Sequence, residues 1–114
     1  MYLSEVREEL DLELLAGSDS AEVTGGYTSD LLSDVMAHAE EGDVIITIQA
    51  HTNTVAVATN VEAPAIIICN ARPVPDEMLA SAREHGVALW RTGLNQFQVS
   101  GRLYPRFEIG RAHV

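Results

Sequence analysis

The sequence contains no lysine, and this absence limits the partners of the chain. Its 114 residues carry seven arginines against seventeen acidic side chains, which gives a formal net charge of −10. Phosphate backbones and anionic membranes attract clusters of Lys and Arg. The charge balance therefore excludes nucleic acid as a partner and argues against a membrane surface. A small anionic ligand would have to be held by backbone amides and the few arginines.

Cysteine pairs, long apolar runs and a secretion signal are also lacking. The single cysteine, Cys69, cannot form an internal disulfide. The longest apolar runs, 44–46 and 65–69, fall far short of the length that a membrane span requires. Residues 1–6 do not combine a basic stretch with an apolar one, so no secretory signal is expected. These features together predict a cytoplasmic protein.

The length and the apolar pattern predict one domain of the α/β class. An apolar fraction of 46% is typical of globular chains, and we expect residues 1–109 to form one domain and residues 110–114 a disordered tail. Segments with helical spacing alternate with apolar, β-branched segments, which predicts a three-layer, Rossmann-like fold with a mainly parallel sheet. Segment 54–61 fits a strand or a helix. The predicted helices are 4–10, 28–39, 75–85 and 94–104, and the predicted strands are 12–16, 44–48, 65–69 and 87–90.

The pair Gly25-Gly26 stands directly before the predicted helix 28–39 and has two interpretations. Backbone amides of a glycine turn at a helix start can hold phosphate. However, the pair matches neither nucleotide-binding glycine motif, and no lysine is present to reach a phosphate. We therefore favour a turn that requires positive φ angles.

Polar residues follow several of the predicted strands. In an open parallel sheet, ligands bind beyond the carboxyl ends of the strands. We expect such residues to converge on one sheet edge and form a small-ligand site. The predicted ligand-binding residues are Thr24, Gly25, Gly26, Gln49, His51, Asn53, Asn70 and Thr92.

Two groups of residues invite a catalytic or metal-binding interpretation. Asp30, Asp34 and His38 recur every four residues, but a solvated helix face explains that spacing better than a metal site. His51 is a possible general base, although no Ser, Cys or Asp identifies a triad with it, so a structural or ligand-contact role is favoured. Cys69 is predicted to be a small buried hydrophobe, and Trp90 to lie in the core or an interface. No metal and no cofactor are predicted.

Several segments together resemble the DRTGG domain family. The residues that carry the resemblance are Val23-Thr24-Gly25-Gly26-Tyr27, 29–36, 42–49, His51-x-Asn53-x-Val55-Ala56-Val57-Ala58, 66–70 and Gly101-Arg102-Leu103-Tyr104. The resemblance spans residues 5 to 105. The Asp-Arg of the family name is absent, because Ala21-Glu22 precede Val23.

The resemblance implies a non-catalytic α/β module similar to the N-terminal domain of HPr kinase/phosphorylase. Such domains also occur beside CBS domains in some inorganic pyrophosphatases and in some phosphate acetyltransferases, where they contribute to regulation and subunit association. Stand-alone versions resemble accessory proteins, some of them of iron-only hydrogenase systems. The resemblance thus implies a regulatory or interaction module, homodimeric and accessory to a metabolic or redox enzyme system.

Two other functions remain open at the level of sequence. One is an allosteric sensor of an adenine nucleotide, using the predicted ligand-binding residues. The other is an enzyme, which the missing motifs disfavour.

Overall fold

A computed structural model describes residues 1–111 of the chain, with the side chains of residues 1–107. The chain begins with a 3-10 turn, Leu3–Val6, where a longer helix was predicted. The five strands are β1 (Glu13–Ala16), β2 (Gly25–Thr28), β3 (Asp43–Thr47), β4 (Ala65–Ile68) and β5 (Ala88–Arg91). The four helices are α1 (Leu32–His38), α2 (Thr52–Asn60), α3 (Asp76–His85) and α4 (Gln96–Arg111).

The five strands form one mixed sheet in the order β1-β5-β4-β3-β2. Strands β2, β3, β4 and β5 pair in parallel. The sequence predicts this arrangement for β3, β4 and β5, but it does not predict β2 as a strand. Strand β1 pairs antiparallel with β5, which the sequence does not predict. The sheet is therefore parallel over four strands. The antiparallel strand β1 forms one edge, and β2 forms the other.

The parallel strands follow one another in chain order, and this places all three crossover helices on the same face. Val35 of α1, Val55 of α2 and Met78 of α3 share one buried cluster with Ile45 and Ile66 of the sheet. The opposite face is covered by the N-terminal turn and α4, whose Val99 and Leu103 pack in a second cluster. The three predicted layers are present. One outer layer consists of the crossover helices α1, α2 and α3, and the other consists of the N-terminal turn and α4.

Tertiary context decides the segment that the sequence leaves ambiguous. Residues 52–60 form α2, although their valines also suit a strand. Because β3 and β4 are parallel neighbours, the chain between them must cross over, which a helix accomplishes. The His51 side chain accepts a hydrogen bond from the Asn53 backbone N–H at 3.0 Å and so caps this helix.

The glycine pair is the main error of the sequence-based fold prediction. Gly25 and Gly26 lie in strand β2, and neither takes a positive φ. The positive-φ glycines are Gly17, Gly42 and Gly86. The predicted turn is thus wrong, and α1 begins at Leu32, after the strand, rather than at residue 28.

The last helix extends further than the sequence predicts. Helix α4 continues past Gly101 and Pro105 to Arg111. Of the predicted tail, residues 110–114, the last three lie outside the described residues. Within the part of the chain that the structure describes, no helix is long and apolar enough to cross a membrane.

Candidate functional site

The predicted ligand-binding residues do not come together in the structure. Gly25 pairs with Asp43 at the start of β3, and the Thr24 N–H donates to the Gly42 carbonyl. These residues therefore lie at the amino ends of the parallel strands. Gln49, His51, Asn53, Asn70 and Thr92 lie at or beyond the carboxyl ends, on the opposite edge of the sheet. The prediction wrongly placed both groups at one sheet edge because it treated β2 as a loop that follows a strand.

Residues at the carboxyl edge are held by contacts within the fold. The buried Thr92 hydroxyl donates to the Leu10 carbonyl at 2.6 Å and accepts from the Leu94 N–H. The Asn70 backbone takes a φ of 62° and donates to the Leu94 carbonyl. Since successive crossovers never reverse direction, the parallel strands also lack the switch point at which α/β sheets open a ligand crevice.

Asp30 organises this edge, a role that the sequence does not reveal. One carboxylate oxygen of Asp30 accepts hydrogen bonds from the Thr47 hydroxyl, the Ile48 N–H and the Gln96 side chain, at 2.9 to 3.0 Å. The Gln49 side-chain amide donates to the Asp30 carbonyl at 3.0 Å. Asp30 thus joins the β2–α1 connection to β3 and α4, and Gln49 supports the same connection.

The structure separates Asp30 from the pair formed by Asp34 and His38. Asp30 lies before α1 and turns to β3, whereas Asp34 contacts His38 Nδ1 at 3.0 Å. The Tyr27 hydroxyl donates to Asp34 at 2.8 Å, and this bond, more than any other contact, holds the pKa of Asp34 below its usual value. The same bond raises the pKa of Tyr27. Among the described residues, no group of three or more His, Cys, Asp or Glu side chains is placed to hold a metal.

Cys69 and Trp90 lie in the core on the α4 side of the sheet. Cys69 is fully buried, and this burial, followed by the nearby charge of Asp30, raises its pKa to about 12. A thiol with such a pKa stays protonated and is a poor nucleophile. Trp90 was predicted to lie in the core or in an interface, and it is buried in the core.

A groove opens at the sheet edge formed by β2. It has a volume of about 290 Å³ and runs between β2, α1 and α4. Its lining combines bare glycine backbone, aromatic rings and acidic groups. The lining residues are Gly25, Gly26, Tyr27, His38, Glu40, Asp43, Tyr104 and Phe107.

Gly26 keeps this groove open. A Cβ at Gly26 would contact Val44 Cγ1 at 3.5 Å and Ile46 Cδ1 at 3.7 Å, on the face that α4 covers. These are ordinary contacts, so a side chain would fit but would project into the space beside α4. The glycine pair therefore leaves room next to a strand, instead of making the predicted turn.

Two aromatic side chains of α4 are exposed, and one of them, Tyr104, lines the groove. Phe97 is 87% exposed and Tyr104 is 66% exposed, and both belong to α4. The hydroxyl of Ser100, between them in sequence, lies 2.7 Å from the hydroxyl of Thr28 in β2. The sequence places Phe97 and Tyr104 in the last helix but does not separate them from its buried stripe. Val99 and Leu103, at i and i+4, define that stripe, and the offset of Phe97 and Tyr104 from it was the available signal.

No family model matches this sequence, and no curated protein matches it. Among solved structures, the fold is similar to the CBS and DRTGG domains of the regulatory region of Clostridium perfringens pyrophosphatase, a crystal structure complexed with the activator diadenosine tetraphosphate. The TM-score is 0.74 at 15% sequence identity, over 87% of this chain and 44% of that chain. The chain thus spans less than half of that regulatory region and shares its type of fold.

Proposed function

We propose that the chain is a non-catalytic regulatory module that works by association with protein chains. The observation that carries this proposal is the surface where β2 meets α4. There Tyr104 is exposed beside the edge strand of the sheet, and Phe97 is exposed on the same helix. Exposed aromatic patches and open sheet edges are typical of interaction sites.

Two further facts support a regulatory role. The fold is similar to a regulatory region of an enzyme, and the sequence resembles a domain family found in such regions. His51, the residue considered as a general base, serves as the cap of α2. We accordingly propose a homodimer that is accessory to a metabolic or redox enzyme system, in the cytoplasm.

The solution mass of the full chain tests the proposal. We expect sedimentation equilibrium to give twice the chain mass of 12.4 kDa. A monomer at every concentration measured would contradict the homodimer. In that case a regulatory role would require a different partner.

Adenine-nucleotide sensing is a second candidate, and the groove beside β2 favours it. The similar regulatory region was crystallised with diadenosine tetraphosphate, and the aromatic rings of Tyr104 and Phe107 suit a purine base. Glu40 and Asp43 repel phosphate, so we expect the base and ribose to lie in the groove and phosphates to point to solvent.

Thermal denaturation with adenosine, AMP, ATP and diadenosine tetraphosphate tests this second candidate. A ligand at about one hundred times its dissociation constant adds about 2.7 kcal/mol of stability, which raises the melting temperature by about 10 °C. Gly26→Val fills the groove and should abolish the rise, while the matched strand variant Thr28→Val should retain it. A flat response of the native chain to all four compounds would contradict nucleotide sensing.

A further inference from the structure

The groove beside β2 passes around the edge strand at the point where its two glycines lie. Asp43 stands two residues before Ile45 in β3 and so faces the side that the crossover helices cover. Gly25 is in register with Asp43 and shares that side, whereas a Cβ at Gly26 would point to the α4 side. Because neither glycine carries a side chain, groups from both sides of the sheet line one groove.

The charge of the groove is negative. Asp43 is 8% exposed, and its carboxylate accepts a hydrogen bond from the Glu40 backbone N–H at 2.9 Å, while the Glu40 side chain is exposed. Among the described lining residues, His38 alone is basic, and its Nδ1 lies 3.0 Å from a carboxylate oxygen of Asp34. In a chain of net charge −10, such a groove attracts a positively charged group and repels an anion.

Three aromatic rings line the same groove. Tyr104 and Phe107 lie three positions apart in α4 and therefore share one side of that helix. Tyr27 comes from β2, and its ring stacks on that of His38 with 6.4 Å between the centroids. The faces of such rings are electrostatically negative and attract organic cations, guanidinium groups more often than ammonium groups.

The composition of the lining favours an organic cation over a metal ion. Among the residues that the structure describes, no three His, Cys, Asp or Glu side chains are placed to hold a metal. Aromatic rings do not supply the oxygen ligands that Mg²⁺ and Ca²⁺ require. A guanidinium group uses both kinds of lining group, because it is planar, pairs with carboxylates and stacks on aromatic faces.

The size of the groove limits the occupant to a small group. Its volume of about 290 Å³ lies at the lower end of the range for small-molecule sites. That space suits a group as large as one amino-acid side chain. The arginines of α4 itself do not fill it, because Arg102 and Arg106 donate to the carbonyl and the carboxylate of Glu9, at 2.8 and 2.9 Å.

From the charge, rings and volume of the groove, we infer that it binds a guanidinium group, with the charge toward Glu40 and Asp43 and the plane against the rings of α4. The group belongs to an arginine side chain of a protein or to a free small molecule, and the groove recognises the chemistry that these share. The inference goes beyond the proposed functions, because it needs neither a second copy of the chain nor a nucleotide.

Propylguanidine and propylurea test the inference, because they are similar in shape and only propylguanidine is charged at neutral pH. We would titrate each into the full chain and follow the backbone amide NMR signals of Gly26 and Tyr104. We expect propylguanidine to shift these signals saturably and to bind at least about fivefold more tightly than propylurea. No saturable shift, or equal binding of the two compounds, would overturn the inference. The chain mass and the response to nucleotides are separate measurements, so either proposed function and this inference fail independently.

Two pairs of variants locate the site. Tyr104→Leu removes a ring that lines the groove, and Phe97→Leu removes an exposed ring of α4 that does not. Glu40→Gln removes a charge from the lining, and Glu41→Gln removes the exposed charge next to it in sequence. We expect Tyr104→Leu and Glu40→Gln each to weaken propylguanidine binding about two- to fivefold, with the circular dichroism of the native chain, and both controls to bind as the native chain does. Equal binding by all four variants would overturn the groove as the site.

A tripeptide with blocked ends and a central arginine identifies the source of the guanidinium group. If it shifts the same signals as propylguanidine, the groove accepts an arginine side chain of a protein. If propylguanidine alone shifts them, the groove takes a free guanidinium compound, and both results support the site. The same tripeptide with uncharged citrulline in place of arginine is the control, and equally tight binding of that control would overturn the inference.

Discussion

Gly42 and Gly86 both take positive φ angles, but their surroundings differ. At Gly86, which ends α3, a Cβ would meet no described atom within 4 Å. At Gly42, with a φ of 89°, a Cβ would collide with the Thr24 hydroxyl oxygen. We expect Gly86→Ala to lower the free energy of unfolding by about 1 kcal/mol and Gly42→Ala by about 2–4 kcal/mol. Urea denaturation of both variants measures the difference, and equal losses would show that Thr24 moves aside without cost.

The hydrogen bond between Tyr27 and Asp34 should make stability depend on pH at both ends of the scale. Asp34 has a pKa held below 3.8, chiefly by the Tyr27 hydroxyl, so its contribution is present above pH 3.8 and is lost as pH falls through the lowered value. Tyr27 has a pKa raised above 10.0 by the same bond, so its contribution is present below pH 10.0 and is lost as pH rises through the raised value.

Replacing Tyr27 by phenylalanine removes this bond while keeping the ring. We expect Tyr27→Phe to be less stable than the native chain at about pH 7, and this deficit to shrink as pH falls through the lowered pKa of Asp34 and as pH rises through the raised pKa of Tyr27. Urea denaturation across this pH range is the measurement. The ring that stacks on His38, with 6.4 Å between the centroids, is retained in this variant. A deficit that stays the same at every pH would therefore show that the loss does not come from the bond to Asp34.

Among the elements, the link between β3, α4 and the β2–α1 connection depends on Asp30. Asp30→Ala removes the acceptor of three hydrogen bonds, and we expect it to cost about 2–4 kcal/mol of unfolding free energy. Asp30→Asn keeps an oxygen that can accept and should cost about 1 kcal/mol. Thermal unfolding of the two variants decides this. Equal effects would show that the charge of Asp30 contributes more than the hydrogen bonds.

The local sequence pattern predicted those elements whose residues fit only one type of secondary structure. The β-branched run of β3 and the run of β4 are buried on both faces and were predicted as strands. Helix α3 was predicted from its acidic first turn and the stop at Gly86, and both features are present. Strand β2 was missed because two of its four residues are glycines, which are rare in strands. Its pairing with β3 supplies the stability that its own residues lack.

The candidate site was harder to predict than the elements. Gln49 and Thr92 lie at strand ends, as the sequence predicts, but their hydrogen-bond partners, Asp30 and the Leu10 carbonyl, come from distant parts of the chain. The exposed face of α4 depends on which stripe of the helix packs on the sheet. That choice is made by the position of the whole helix, which no short window of sequence contains.

For the whole molecule, the charge of −10 predicts how association responds to salt. Two such chains repel each other, and added salt screens this repulsion. Because Phe97 and Tyr104 of α4 and the four residues of β2 are uncharged, screening removes no favourable ion pair from this surface. We therefore expect dimerisation to become about 3–10 times tighter between about 20 and about 300 mM NaCl. Sedimentation at several salt concentrations measures this, and weaker association at high salt would show that ion pairs hold the dimer.

The antiparallel strand β1 has a consequence for how chains can join at the edges of the sheet. The strand order leaves two unlike edges, with β1 on one side and β2 on the other. Unlike edges can join head to tail without closing, whereas two copies of the same edge pair about a two-fold axis. An association that joins β2 to β2 would therefore end at two chains, and one that joins β2 to β1 would continue from chain to chain.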